Sequence, residues 1–316
     1  MSAPLISFDI PIFRSKNLRQ NYVNQLAAIY QGHFPSKLPL TLFHYTSIQS
    51  FKGIVASNQI WFGHVSSMQD ATEVMRAVEL SKVIINATLQ SSGVNQRAKM
   101  LLERMLSGLL NSNANSRWYV ASFTEAFEDA AQWQRFGDNY KGICIEFDTL
   151  ELIKYFSASI EDRPFFGKVV YDTQELLNFG SKLLAAALSN FDDDYSHIPD
   201  DDTAAQQFIP LWGDLVDVFS IIPKVPSYSS EKEWRFAIDA SKLRESDKNF
   251  IEHNGKKKLN QGKGLASDYV ATKLPIASVR LGPHCSENEQ LQIEYELRNA
   301  GFVDVKIAKS ILQLNQ

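Results

Sequence analysis

The sequence predicts an α+β fold, on three observations. Strand and helix periodicities interleave along all 316 residues without a regular strand-helix-strand alternation. A hydrophobic content of 44% suffices for a substantial buried core in one large domain or two smaller ones. In Trp118 to Asp148, two short apolar strands, Trp118 to Phe123 and Gly142 to Phe147, flank a compact aromatic turn of helix capped by Asp129 and ended by Gly137.

Bulk properties narrow the function classes. A net charge of -4 argues against a surface that tracks nucleic acid throughout, leaving a local basic patch open. Two cysteines, Cys144 and Cys285, make neither a disulfide framework nor a multi-cysteine metal site, so a reducing, cytoplasmic home is expected. No run of about 18 apolar residues exists, which leaves export and membrane spanning unsupported.

In order, Asn17 to Tyr30 carries Leu18, Tyr22, Leu26 and Ile29 at helical spacing, and Leu40 to Tyr45 reads as a strand. Ser47 caps a helix containing Ile48, Phe51, Ile54 and Val55; Gln59 to Phe62 is a brief strand. A polar loop, Gly63 to Asp70, holds His64, Ser66, Ser67 and Asp70. Two amphipathic helices from Thr72 to about Leu110 are split by Ser91-Ser92-Gly93. Beyond the central segment, helix is expected at Leu150 to Phe156, strand at Gly167 to Tyr171 and helix at Leu176 to Leu188. The triplets Asp192 to Asp194 and Asp200 to Asp202 read as a solvated loop, because they lack the glycine and terminal glutamate of a calcium loop.

Phe208 to Ile222 reads as helix, followed by a polar turn and a strand in which Trp234, Phe236 and Ile238 alternate with Glu233, Arg235 and Ala237. This puts Glu231, Glu233 and Arg235 on one face, either a cleft wall or an exposed sheet face, and spacing alone favours exposure. His253 to Gly264 reads as a basic, glycine-punctuated loop and is the best local candidate for meeting a phosphate backbone. Strands near Tyr269 to Ala271 and at Ile276 to Leu281 lead to a Ser286/Glu289 capping box, a helix closed by Gly301, and a last strand at Val303 to Ile307. The familiar glycine-rich phosphate loops, metalloprotease and serine-hydrolase motifs are missing, and the six histidines lack metal-ligand spacing, so no metal is expected.

Four stretches in order carry a resemblance: LFHYTS at Leu42 to Ser47 with QIWFG after its helix, ASFTE at Ala121 to Glu125, WQRFGDNYKGICIEF at Trp133 to Phe147, and EKEWRF at Glu231 to Phe236. Together they resemble the bacterial domain-of-unknown-function family twenty-nine seventy-one, across roughly Leu42 to Pro283. That family's layout of a His-bearing, a Ser-bearing and a Glu-bearing strand is similar to that of ADP-ribosyltransferases. The resemblance implies a split, strongly bent mixed sheet of ADP-ribosyltransferase type, with an N-terminal helical extension over 1–39 and one domain over 40–316 interrupted by helical insertions near 72–116 and 174–222.

It further implies an NAD-dependent mono-ADP-ribosyltransferase acting on a macromolecule, protein or nucleic acid, as an intracellular toxin or phage-defence effector, with an antitoxin as a further partner and no membrane. On that reading Glu233 stabilises the oxocarbenium-like transition state and Glu231 orients or deprotonates the acceptor. His44 hydrogen-bonds a ribose hydroxyl or the carboxamide of NAD, Ser122 positions the ribose, and Tyr45, Phe62 or Phe123 stacks on nicotinamide. Arg135 and Lys141 are the cations for the pyrophosphate; Trp133, Phe136 and Cys144 read as core. The alternatives are an NAD hydrolase, or a non-catalytic nucleotide or nucleic-acid binding module that uses Lys256 to Lys258.

Overall fold

A computed structural model describes residues 20–33, 37–65, 73–111, 117–159, 164–241, 243, 250–253, 256–261 and 273–312. The expected features at Ser66, Ser67, Asp70 and Tyr269 to Ala271 lie outside these residues. The chain divides into two compact units, one drawn from 1–35, 65–118 and 167–229, the other from 36–64, 119–166 and 230–316.

The first unit is helical. It holds α1 (Gln20–His33), and packs it on α7 (Thr173–Tyr195); α3 (Glu73–Leu89) packs on α4 (Gln96–Asn111) and α7, and α4 packs on α8 (Asp201–Phe219). Rows of buried side chains at helical spacing, such as Leu176, Phe179, Leu183 and Ala187, explain the packing. Tyr30 meets Phe179 edge-on at 5.0 Å. The aspartate triplets depart from the expected loop. Asp192 to Asp194 continue α7, while Asp200 caps α8, accepting from Thr203 N at 3.0 Å, and Asp201 and Asp202 occupy its first turn. The favourable N-terminal dipole explains the second triplet. Arg97 pairs with Asp201 at 3.0 Å and Arg104 with Asp202, and the described residues include no group of three or more His, Cys, Asp or Glu suited to a metal.

The second unit carries a sheet of ten strands among the described residues. Its path runs β10 (Lys306–Lys309), β9 (Ile276–Leu281), β4 (Ile143–Asp148), β1 (Thr41–Thr46), β3 (Trp118–Thr124), β2 (Ile60–His64), β8 (Lys256–Gln261) and β7 (Phe250–His253). Off this path, β6 (Glu233–Asp239) pairs with β3, and β5 (Phe165–Lys168) pairs with β6. The sheet is mixed: β9 and β10 run parallel, whereas β1 with β4 and β2 with β8 run antiparallel. It branches at β3, which meets β1 at Phe43↔Thr124 and β2 at Gly63↔Val120 and His64↔Tyr119.

Among the described residues this unit holds the helices α2 (Ile48–Ser57), α5 (Ala130–Arg135), α6 (Thr149–Ser159) and α9 (Glu287–Asn299). Ser47 caps α2 and the Ser286/Glu289 box caps α9, as their side chains dictate. Three strands differ from the sequence expectation. The strand expected at Gly167 begins at Phe165 and the last one lies at Lys306–Lys309. The basic segment is not a loop over its described part, since Lys256 to Gln261 form β8, paired with β7 and with β2. Favourable pairing on both edges of β8 overrides the glycine and lysine composition that suggested a loop. Both cysteines are buried and free.

Candidate active site

Every residue of β6 is buried, which overturns the expected exposure of its charged face. Glu233 and Arg235 alternate with Trp234 and Phe236, so the two charges share one face. Arg235 grips the Glu233 carboxylate with both ends of its fork, Nε at 2.8 Å and Nη2 at 3.1 Å. Their side chains are 1% and 5% exposed. Removing one partner of such a pair costs about 3–5 kcal/mol, because an uncompensated charge stays behind.

Glu231 is not on that strand. It ends a 3₁₀ turn, Pro226–Glu231, and Lys232, in the left-handed region at φ 43°, breaks the register between the two glutamates. The turn is tied to the end of β3 from three sides. Thr124 Oγ1 donates to the Glu231 carbonyl at 2.6 Å and accepts from Ala126 N at 2.8 Å, Glu125 N donates to the Lys232 carbonyl at 3.2 Å, and Trp234 Nε1 donates to Glu125 Oε1 at 2.6 Å. Arg135, from the last turn of α5, donates to the buried Glu231 carboxylate at 2.6 Å. Two glutamates are therefore held buried, each against a guanidinium.

His44 sits on β1, half-buried. Its Nδ1 donates to the Ser122 carbonyl at 2.9 Å, which fixes the proton on Nδ1 and leaves the lone pair on Nε2. Burial lowers its pKa below the ordinary histidine value, against a rise from the Ser122 carbonyl. The ring packs on Phe123 at 5.6 Å, and Phe123 packs on Phe236 at 5.6 Å. Ser122 and Phe123 project to opposite faces of β3, as Glu233 and Phe236 do on β6. The side chain of His44 thus lies with Phe123 and Phe236, whereas the hydroxyl of Ser122 and the carboxylate of Glu233 lie on the other face. Ser122 meets His44 through its carbonyl.

Alternation also separates Tyr45 from His44. Tyr45 is buried, donates its hydroxyl to the Ala126 carbonyl at 2.9 Å, and meets Trp133 edge-on at 5.0 Å within a cluster of Phe43, Tyr45, Trp133 and Cys144. Burial pushes the Tyr45 hydroxyl and the Cys144 thiol far up, so neither ionises near neutrality. Phe62 is wholly buried against Phe156 at 5.3 Å. Phe136 is partly buried against the Tyr45 cluster, and Lys141 is exposed.

The turn after α5 has an unusual backbone. Asp138, Asn139 and Tyr140 stand consecutively at φ 49°, 50° and 70°, and Gly142 N closes the turn on the Gly137 carbonyl at 2.8 Å. Gly142 is obligatory, since a Cβ there would meet the Thr46 carbonyl oxygen at 2.3 Å. Sequence reasoning gave no role to Thr124, Arg235 or Glu128. The EKEWRF stretch contains Arg235, but only burial reveals its pairing; Glu128 has no sequence signal, because its partners other than Trp133 lie far along the chain.

Fold and site together define a mixed α/β protein with a branched sheet and two buried, arginine-held glutamates beside the branch strand. Residues 132–236, which run from within α5 through the left-handed turn into β6, match a family model described as protein of unknown function (DUF2971). No curated protein and no solved structure matches the chain. No helix among the described residues is long and apolar enough to cross a membrane.

Proposed function

We propose that the chain is an NAD-dependent mono-ADP-ribosyltransferase that modifies a macromolecule, with Glu233 and Glu231 as its catalytic pair. The observation that carries this reading is the burial of both carboxylates at the start of β6, each against an arginine. Burying two charges opposes folding, and strongly desolvated carboxylates cluster where a reaction needs them. The branching of the sheet at β3 supports the same reading, since a split sheet is what the ADP-ribosyltransferase analogy calls for.

Glu233, paired with Arg235, faces the positive charge that develops at the ribose C1′ as its bond to nicotinamide breaks and the electron pair leaves on the nicotinamide nitrogen. An oxygen or nitrogen of the acceptor forms the new bond to C1′, and its proton passes to Glu231. Arg135, whose side chain is 35% exposed, suits a pyrophosphate better than the wholly buried Arg235 does. His44 serves this site by fastening β1 to β3. NAD carrying label in its adenylate half, incubated with the protein and a mixture of cell protein and RNA, tests the reading. Label is expected on macromolecules, and digestion with protease or nuclease names the acceptor class. Nicotinamide release with no labelled macromolecule would replace transfer by hydrolysis; absence of both from folded protein would refute the enzyme.

A second reading, a nucleic-acid binding module, is favoured by Lys258, which lies over the Trp61 ring at 5.9 Å on strand β8, beside Lys256 and Lys257 in sequence. Cation and aromatic surface together suit single-stranded nucleic acid. Binding that weakens steeply with salt and is lost in Lys258→Glu would favour it; salt-independent behaviour would remove it.

A further inference from the structure

One buried carboxylate of the sheet unit has no part in the proposed chemistry. Glu128 adopts φ 52°, a conformation that costs a non-glycine residue, and its side chain is 6% exposed. Its Oε2 accepts from Trp133 Nε1 at 3.2 Å and from the Ser310 hydroxyl, and its Oε1 accepts from Ile311 N at 3.4 Å. Ser310 and Ile311 belong to a short strap after β10. The strap is completed by Leu312, which packs on Phe43, Tyr45, Trp133 and Cys144.

Arg280 Nη1 also donates to the Lys309 carbonyl at the root of that strap, at 3.4 Å. Ser310 N donates to the Leu281 carbonyl at 2.8 Å, Ile311 is 71% exposed, and β10 pairs only with β9 among the described strands. Arg280 Nε makes no hydrogen bond but is already ion-paired with Glu128 Oε1 at 3.6 Å, while its guanidinium lies over Phe127 at 4.8 Å. A buried donor left unpaired is costly, and so is a buried carboxylate that loses its donors. Glu128 therefore hydrogen-bonds the strap while holding Arg280 only at ion-pair distance.

We propose that residues Ser310 to Leu312 form a latch with two states. In the closed state Glu128 accepts from Ser310 and Ile311, and Leu312 covers the apolar cluster. In the open state the Glu128 carboxylate turns to Arg280 Nε, the strap lifts, and Cys144 and its neighbours are uncovered. Trp133, which Glu128 anchors, lies on α5 two residues before Arg135, the partner of Glu231. Opening thus loosens the support of the Arg135–Glu231 pair, so the latch regulates the candidate active site; this last step rests on the transferase reading.

The experiment measures maleimide modification of Cys144 in the full-length protein, located by peptide mass, together with amide exchange at residues 310–312. Leu312→Asp is expected to raise Cys144 modification at least tenfold while thermal unfolding stays cooperative. Arg280→Met, which deletes the alternative partner of Glu128, is expected to slow both Cys144 modification and exchange of the 311 and 312 amides below wild type. An arginine that merely supported the strap would do the opposite. Unchanged Cys144 modification in Leu312→Asp, or faster exchange in Arg280→Met, overturns the latch. NAD turnover enters neither measurement, so failure of the latch and failure of the transferase reading are separate results.

Discussion

His44 shows how one hydrogen bond and one packing contact fix a residue's chemistry. The Ser122 carbonyl sets its tautomer, and burial holds it neutral by lowering its pKa. A histidine whose folded pKa is depressed contributes stability that is present above the unfolded pKa, about 6.5, and is lost as pH falls from there toward the folded pKa. Folded stability should therefore decline below about pH 6.5. His44→Asn retains a donor for the Ser122 carbonyl and should flatten that decline, as urea unfolding at several pH values would show. Near the same end of β3, Glu233 is locked to Arg235. Glu233→Ala should cost about 3–5 kcal/mol of stability by removing the bidentate acceptor of the buried Arg235 guanidinium, whereas Glu233→Gln, which keeps an acceptor, should cost clearly less. Thermal melts of the two variants check this order.

The turn Gly137 to Gly142 is the element on which the sheet unit's geometry most depends. Three consecutive residues occupy the left-handed region, where each non-glycine residue costs about 1–2 kcal/mol. Trp133, fully buried, and the contact of Gly142 with the Thr46 carbonyl hold the turn in place. Asp138 is exposed, so its substitution reports on backbone alone. Asp138→Val should destabilise by about 1–2 kcal/mol and Asp138→Gly should not, as denaturant titration would reveal. The sequence made the two strands, the Asp129 cap and the α5 helix legible, because local periodicity and capping chemistry specify them. It did not make the left-handed run legible, because Asp138, Asn139 and Tyr140 adopt it for tertiary reasons. The same limit explains β6: alternation located the strand, but a period of two cannot say whether a charged face meets water or a buried arginine.

At the scale of the whole molecule, the chain interleaves a helical unit with a sheet unit, and each keeps its own core. Mixed α and β content could be read from the sequence because amphipathic spacing is a local signal. Strand order could not, because pairing such as β8 with β2 joins residues about 200 positions apart, and no local pattern encodes it. The aspartate triplets of the helical unit serve as helix end and cap, with Asp201 and Asp202 matched by arginines. Millimolar calcium should accordingly leave the melting temperature unchanged; a rise would reveal a cation site there. The His44, Ser122 and Glu233 set expected from the resemblance is brought to one strand junction, yet the His44 ring and the Glu233 carboxylate project to opposite faces. The proposed transferase therefore draws its chemistry from Glu233 and Glu231. Its most direct test is the rate of nicotinamide release from NAD by wild type, Glu233→Gln and Glu231→Gln, each shown to be folded. Loss of release in Glu233→Gln, with release retained but transfer lost in Glu231→Gln, is the predicted result; release that survives in Glu233→Gln at the wild-type rate would contradict it.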